Sequence, residues 1–174
     1  MRFETNCDFY LLGGGKAGNN GTSSNGGQWG WSYNNPGAGG QGGYVTKLIS
    51  GVTVPAGTYA VTIGAGGTGN GGQGGSSIFT DGNGHEWIAH GGGSNATLGT
   101  GETAGANGGS VGWGGTGNSW DTYPGSNATV EDFDGVKRGG GGGGGSSEAY
   151  WDWGGGYNYS SASNGGTVGG GRGG

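Results

Sequence analysis

The sequence predicts an array of extended glycine-rich segments lying side by side, with a few short β-strands or hairpins and essentially no α-helix. Three observations lead there. Glycine supplies 56 of the 174 residues, about one in three against a usual share of roughly 7%. Only 28% of the chain is hydrophobic, and aromatic residues make up 11% of it, so a layered domain with a Leu, Ile and Val core cannot run its whole length. No window places apolar residues at helical spacing free of glycine, which removes the helix as an organising element.

Two other glycine-rich states are opposed by the sequence. Collagen requires a strict Gly-X-Y period and abundant proline, whereas this chain has three prolines and no such period. Low-complexity disorder lacks aromatic and β-branched residues, yet here the glycine runs are interrupted by apolar strands and by seven tryptophans.

Ordering glycine is costly, at roughly 0.5–1 kcal/mol per residue relative to Ala. The compensation has to be dense. Without Cβ atoms, extended helices of about three residues per turn and about 3.1 Å rise can lie in contact and bond their backbones to one another. Each such bond contributes on the order of 1 kcal/mol net. A bulky residue inside the array would separate its members, so Trp and Tyr are expected in loops or on outer faces, where six of the seven tryptophans fall.

Taken in order, Phe9 to Leu12 is a short apolar run that stops at Gly13-Gly14-Gly15. Tyr44 to Ile49 and Tyr59 to Ile63 are β-branched and aromatic-led, with turn residues Val54-Pro55-Ala56-Gly57 between them, and are expected as a hairpin or neighbouring strands. Ser77 to Thr80 and His85 to Ala89, joined by Asp81-Gly82-Asn83-Gly84, read as a hairpin, because Asp-Gly and Asn-Gly steps suit the positive φ of tight turns. The remainder is glycine runs: Gly39 to Gly43, Gly64 to Gly75, Gly91 to Gly93, Gly105 to Gly117, Gly139 to Gly145, Gly154 to Gly156 and Gly165 to Gly174. Loops rich in Trp, Tyr, Asn and Ser separate them, at Gln28 to Pro36, Asn118 to Arg138 and Ser146 to Ser163. The whole chain, 1–174, is expected to form a single domain, with a strand-containing part over 9–93 and glycine runs with aromatic loops over 94–174.

The succession "FYLLGGG", "GAGGQGGYVTKLISGVTVPAGTYAVTIGAGGTGNGGQGGSSIF" and "WIAHGGG" resembles the glycine-rich domain of bacteriophage tail-fibre and tail-tip adhesins. The likeness covers residues 9–93 and continues beyond them as composition only. It implies a polyglycine II sandwich whose variable loops bind the host receptor. Related glycine-rich folds occur in an animal receptor kinase and an insect antifreeze protein, so the likeness speaks to fold before function. Adhesins of this kind usually carry a separate N-terminal docking portion; this chain enters the glycine domain within its first ten residues, so docking is expected to use the domain itself.

Charge and motifs narrow the function. A net charge of −5 with six Lys and Arg leaves no basic stripe for nucleic acid or an anionic membrane. No run of 18 apolar residues exists to insert in a membrane. The N-terminus carries no apolar stretch of signal-peptide length, which suits a virion component released by lysis. Cys7 is alone, so no intrachain disulfide is expected. Gly64-Ala65-Gly66-Gly67-Thr68-Gly69 fits the dinucleotide fingerprint, but the following Asn70 to Gly75 cannot begin the helix which that motif needs. His85-Glu86-Trp87-Ile88-Ala89-His90 has three residues between Glu86 and His90 where the zinc protease motif has two. Asp132-Phe133-Asp134-Gly135 starts like a calcium loop, yet Val136, Lys137 and Arg138 occupy the later ligand positions, so it reads as an acidic turn. Asn20, Asn95, Asn127 and Asn158 each begin Asn-X-Ser/Thr, read as loop polarity. No catalytic residues, cofactor or metal site are expected.

The candidate contact residues are the aromatics between the glycine runs: Trp29, Trp31 and Tyr33; Trp113, Trp120 and Tyr123; Tyr150, Trp151, Trp153, Tyr157 and Tyr159. Amphipathic rings on a rigid scaffold give large contact area at low entropy cost. They suit a virion-surface or extracellular adhesin whose partner is a host-surface protein or polysaccharide. The alternative is a structural subunit that joins copies of itself, or other fibre subunits, into a fibre; simple capping of the glycine segments is the bland third reading.

Overall fold

The computed structural model describes residues 4–26, 31–35, 37–113, 120–145, 147–150, 158–160 and 165–166, and no α-helix occurs among them. Among the described residues twelve strands form four antiparallel sheets: β1 (Thr5–Leu12), β2 (Thr22–Gly26), β3 (Trp31–Asn35), β4 (Val45–Val54), β5 (Val61–Thr62), β6 (Ser77–Thr80), β7 (Glu86–Ala89), β8 (Glu102–Thr103), β9 (Val111–Trp113), β10 (Trp120–Thr122), β11 (Ser147–Tyr150) and β12 (Asn158–Ser160). The sheets run β1-β4-β8, β5-β6-β7, β12-β11-β3-β2 and β10-β9.

Conventional apolar packing among the described residues centres on the first two sheets. Phe9 of β1 meets Phe79 of β6 at 5.7 Å and Trp87 of β7 at 5.2 Å between ring centroids. Tyr59 adds an edge contact to Phe79 at 5.9 Å. Val45, Val54 and Ala89 are buried alongside. Two buried hydroxyls tie the sheets together: Thr46 Oγ1 donates to the Ile88 carbonyl, and Ser77 Oγ donates to the Leu12 carbonyl while accepting from Gly64 N–H.

The expected β6–β7 hairpin forms, with Phe79 opposite Trp87. Asp81 Oδ1 accepts from the N–H groups of Asn83 and His85, and the positive φ that closes the turn falls on Gly84, at 80°. The segments 44–49 and 59–63, expected as neighbours, lie in different sheets. β4 pairs with β1 along its length and with β8 at Val45 and Thr46, while the later segment pairs with β6, where only Val61–Thr62 keep strand geometry.

From these strands the chain runs into extended glycine-rich segments whose hydrogen bonds advance in steps of three. Gly13, Lys16 and Asn19 donate to the carbonyls of Tyr44, Gln41 and Ala38. Gly14 and Ala17 donate instead to Gly75 and Gly72, and the Gly15 carbonyl accepts from Gly67. Successive residues thus serve different neighbours. The same step recurs where Gly39 and Gly42 donate to Gly109 and Ala106, and where Gly145 and Gly142 donate to Gly37 and Gly40. In the 37–44 segment the residues with side chains, Ala38, Gln41 and Tyr44, repeat at that interval too.

Two runs differ from the sequence reading. Gly64 to Gly75 is two segments, reversed through Gly69 and Gly71 at φ 69° and 66°. The stretch 118–138, expected as one loop, contributes residues 123–127 to the glycine array: Ser126 N–H donates to Asn107, and the Tyr123 and Ser126 carbonyls accept from Gly144 and Gly141. Gly154 to Gly156 and the last run beyond Gly166 lie outside the described residues.

The spacing is set by the absence of Cβ. A methyl group on Gly42 would overlap the Gly139 carbonyl oxygen, and on Gly43 the Gly13 oxygen, far inside the 3.0 Å that real Cβ contacts respect. Gln41 reaches between two further segments, with Oε1 accepting from Gly93 N–H at 2.9 Å and Nε2 donating to the Gly105 carbonyl at 3.2 Å. Gly66 is exposed, and a methyl group added there would find its nearest neighbour 4.0 Å away. Gly42→Ala is therefore expected to destabilise the protein by about 1–3 kcal/mol, while Gly66→Ala is neutral or slightly stabilising. Equal thermal melts for the two variants would contradict the close backbone packing.

Candidate binding surface

The aromatic-bearing segments are short strands nearly everywhere they are described. In 31–35, Trp and Tyr alternate with Ser and Asn without a glycine, a pattern that favours strand pairing over a loop with its backbone left to water. β3 pairs with β2, so that Trp31 lies opposite Gly26 and Tyr33 opposite Ser24. On its other edge β3 meets β11, with Tyr33 opposite Ala149 and Ser32 opposite Tyr150. β11 in turn places Glu148 opposite Tyr159 of β12. Trp31, Tyr33, Tyr150 and Tyr159 therefore share one four-stranded sheet. Trp113 and Trp120 occupy opposite positions in the β9–β10 pair, and β10 lies beside β12.

Tyr123 follows β10 directly. Its backbone is held in the glycine array by bonds to Ser110 and Gly144, and the residue is 49% exposed. Trp29, Trp151, Trp153 and Tyr157 lie outside the described residues. The loop expectation is thus corrected for the described aromatics: they stand on two small adjoining sheets, or on the backbone lattice itself.

A second polar feature was not legible in the sequence. The Glu102 side chain is fully buried, and its carboxylate accepts from His90 Nδ1 at 2.7 and 2.8 Å, from His90 N–H at 2.6 Å and from Gly99 N–H at 2.8 Å. A buried carboxylate persists when its oxygens are satisfied in this way. The group pins β8 to the end of β7. His85, the other histidine of the 85–90 stretch, packs against Trp87 at 4.5 Å. Among the described residues no group of three or more His, Cys, Asp and Glu side chains is placed to hold a metal ion.

The 131–138 stretch is an acidic turn closed on its own arginine. Glu131 bridges Lys137, Gly135 takes φ 78°, and Arg138 donates to Asp132 at 2.7 Å and to both Asp134 oxygens at 2.9 and 2.5 Å. Val136 N–H adds a bond to Asp134. The Arg138 guanidinium, then that N–H, hold the Asp134 carboxyl at about 2. Nearby, burial and then the Asp132 charge push the Tyr10 phenol above its ordinary value. The Gly64–Gly69 motif is an extended segment ending in the turn at Gly69 and Gly71, with no helix after it, so it lacks the N-terminus that would hold a pyrophosphate.

Compared with known protein families, curated proteins and solved structures, the chain matches none.

Two outcomes follow. Glu102→Ala strands His90 and two N–H groups and should lower the unfolding free energy by about 3–5 kcal/mol, with a smaller loss for Glu102→Gln, which keeps an acceptor; equal losses in urea melts would contradict the anchoring role. Because the folded-state value of Asp134 is depressed, its stabilising contribution is present above 3.8 and is lost as pH falls through about 2. Arg138→Ala should move its NMR titration midpoint from about 2 back toward 3.8, and an unmoved midpoint would rule out the guanidinium as the cause.

Proposed function

We propose that the chain is a non-enzymatic adhesin of the phage tail-fibre or tail-tip kind, in which a polyglycine II sandwich carries a surface rich in Trp and Tyr to the host receptor. The sandwich reading draws on the connectivity of the segments. Residues 64–68, 13–19, 37–44, 139–145 and 165–166 bond in sequence as one layer. Residues 71–75, 90–93, 105–110 and 123–127 lie across them, each bonding to one or two members of the first layer. Gln41 spans the second layer between Gly93 and Gly105.

The observation that carries the functional reading is the gathering of Trp31, Tyr33, Tyr150 and Tyr159 on one sheet, the first two at positions of one face and the last two at positions of the other, with Trp113, Trp120 and Tyr123 on the adjoining segments. Glycine segments supply few side chains for recognition, so specific contacts fall mainly to these strands. A backbone lattice is a stiff support for them, which reduces the ordering cost of binding. The resemblance of residues 9–93 to tail adhesins points to the same role at a virion surface.

The purified chain should sediment with cells from a panel of bacterial envelopes while remaining monomeric by light scattering. The double variant Trp113→Ala, Tyr123→Ala should weaken cell binding by about tenfold or more, as expected for hot-spot aromatics, with an unchanged circular dichroism spectrum. Spontaneous filaments indifferent to every cell type would overturn the adhesin reading in favour of a self-assembling fibre subunit.

A further inference from the structure

We infer that the β12-β11-β3-β2 sheet is a glycan-binding surface and that its ligand is an uncharged polysaccharide; this rests on the adhesin reading and names the partner class. The argument begins with what the sheet lacks. Its strands read Thr22-Ser23-Ser24-Asn25-Gly26, Trp31-Ser32-Tyr33-Asn34-Asn35, Ser147-Glu148-Ala149-Tyr150 and Asn158-Tyr159-Ser160. Not one Val, Ile, Leu, Met or Phe is among them. A sheet ordinarily needs an apolar face to pack on a core, as β1-β4-β8 and β5-β6-β7 do around Phe9, Phe79 and Trp87. The composition of this sheet supplies no aliphatic face on either side.

What it holds instead is two kinds of group. Ten residues carry an aliphatic hydroxyl or a carboxamide and four carry a Trp or Tyr ring, with Glu148 as the one charge. The strand period of two puts Trp31 and Tyr33 at positions of one face, roughly 7 Å apart along β3. Register surrounds them with small or hydroxyl- and amide-bearing residues: Gly26 opposite Trp31, Ser24 and Ala149 opposite Tyr33, and Asn158 beyond Ala149. A pyranose has an apolar C–H face and a rim of hydroxyls that both donate and accept. Aromatic rings complement the first, and Ser, Thr and Asn, which also donate and accept, complement the second.

Charge decides the class of glycan. No Lys or Arg lies on the four strands, the sheet's one charge is negative, and the chain as a whole carries −5. Acidic polysaccharides and nucleic acids are repelled by that balance. A protein partner would call for Arg and large apolar anchors at the centre of the patch; the four strands carry no Arg, Val, Ile, Leu, Met or Phe, and Trp31 and Tyr33 are the two rings at positions of this face. An uncharged glycan needs neither.

The test uses the full chain and a set of immobilised neutral polysaccharides, a mannan, a galactan and a glucan, beside a polyanionic one, together with the bacterial cells it sediments with. The expected result is saturable binding to at least one neutral polysaccharide and none to the polyanion. Tyr33→Ala and Trp31→Ala should each weaken it by about tenfold, the loss of roughly one ring contact, while Tyr33→Phe stays within about threefold. Mild periodate treatment of the cells should abolish cell binding, and this readout stands even where an alanine variant fails to fold. Cell binding that survives periodate but is lost on protease treatment would overturn the glycan assignment and leave the adhesin reading intact, with a protein as receptor. Preference for the polyanion would overturn it as well. Failure to bind any cell or any polysaccharide would take down the adhesin reading itself.

Discussion

The bond on which the rest of this fold depends runs from backbone N–H to backbone C=O between segments that have few side chains to hold them apart. Gly13, Lys16 and Asn19 donating to Tyr44, Gln41 and Ala38 is the pattern in its plainest form. Each bond is worth little alone. Their density, with one segment bonded to several others, substitutes for the apolar interior that the composition cannot build. The same closeness makes glycine obligatory: a Cβ on Gly39, Gly42, Gly105 or Gly141 would overlap a carbonyl oxygen of the next segment.

Hydrophobic burial still has a part, centred on one place. Phe9, Phe79, Trp87 and Tyr59 cluster between two small sheets, and those strands lead straight into glycine segments. β1 continues into 13–19, 37–44 leads into β4, and β7 continues into 90–93. The aromatic cluster therefore acts as a frame that delivers several glycine segments to one another in fixed order. Ser77, bonded to both Leu12 and Gly64, and Glu102, bonded to His90 and Gly99, lie at the junctions between frame and lattice. Polar groups at these points hold position by directed bonds where apolar contact is thin.

On the adhesin proposal, this division leaves recognition to the remaining sheets. A lattice built mostly of backbone offers few side chains with which to discriminate. Side chains able to do so are concentrated in β2, β3, β9, β10, β11 and β12, which add rings, hydroxyls and amides but almost no charge.

The sequence by itself determined the local features. Glycine at about one residue in three, absent helical periodicity, the β6–β7 hairpin with its Asp81-Gly82-Asn83-Gly84 turn, and the strand at Phe9 to Leu12 were all legible, because turn chemistry and strand period act over a few neighbouring residues. The three-residue spacing of Ala38, Gln41 and Tyr44 was also present to be read. Only the tertiary structure decided which segment lies beside which: that β4 and β5 join different sheets, that 123–127 enters the array, that Gln41 links Gly93 to Gly105 and that Glu102 meets His90. Partner choice in an ordinary core is written in complementary side chains. Glycine segments have few, so their neighbours are chosen mainly by where the strands and turns at their ends deliver them, and that is a property of the whole fold.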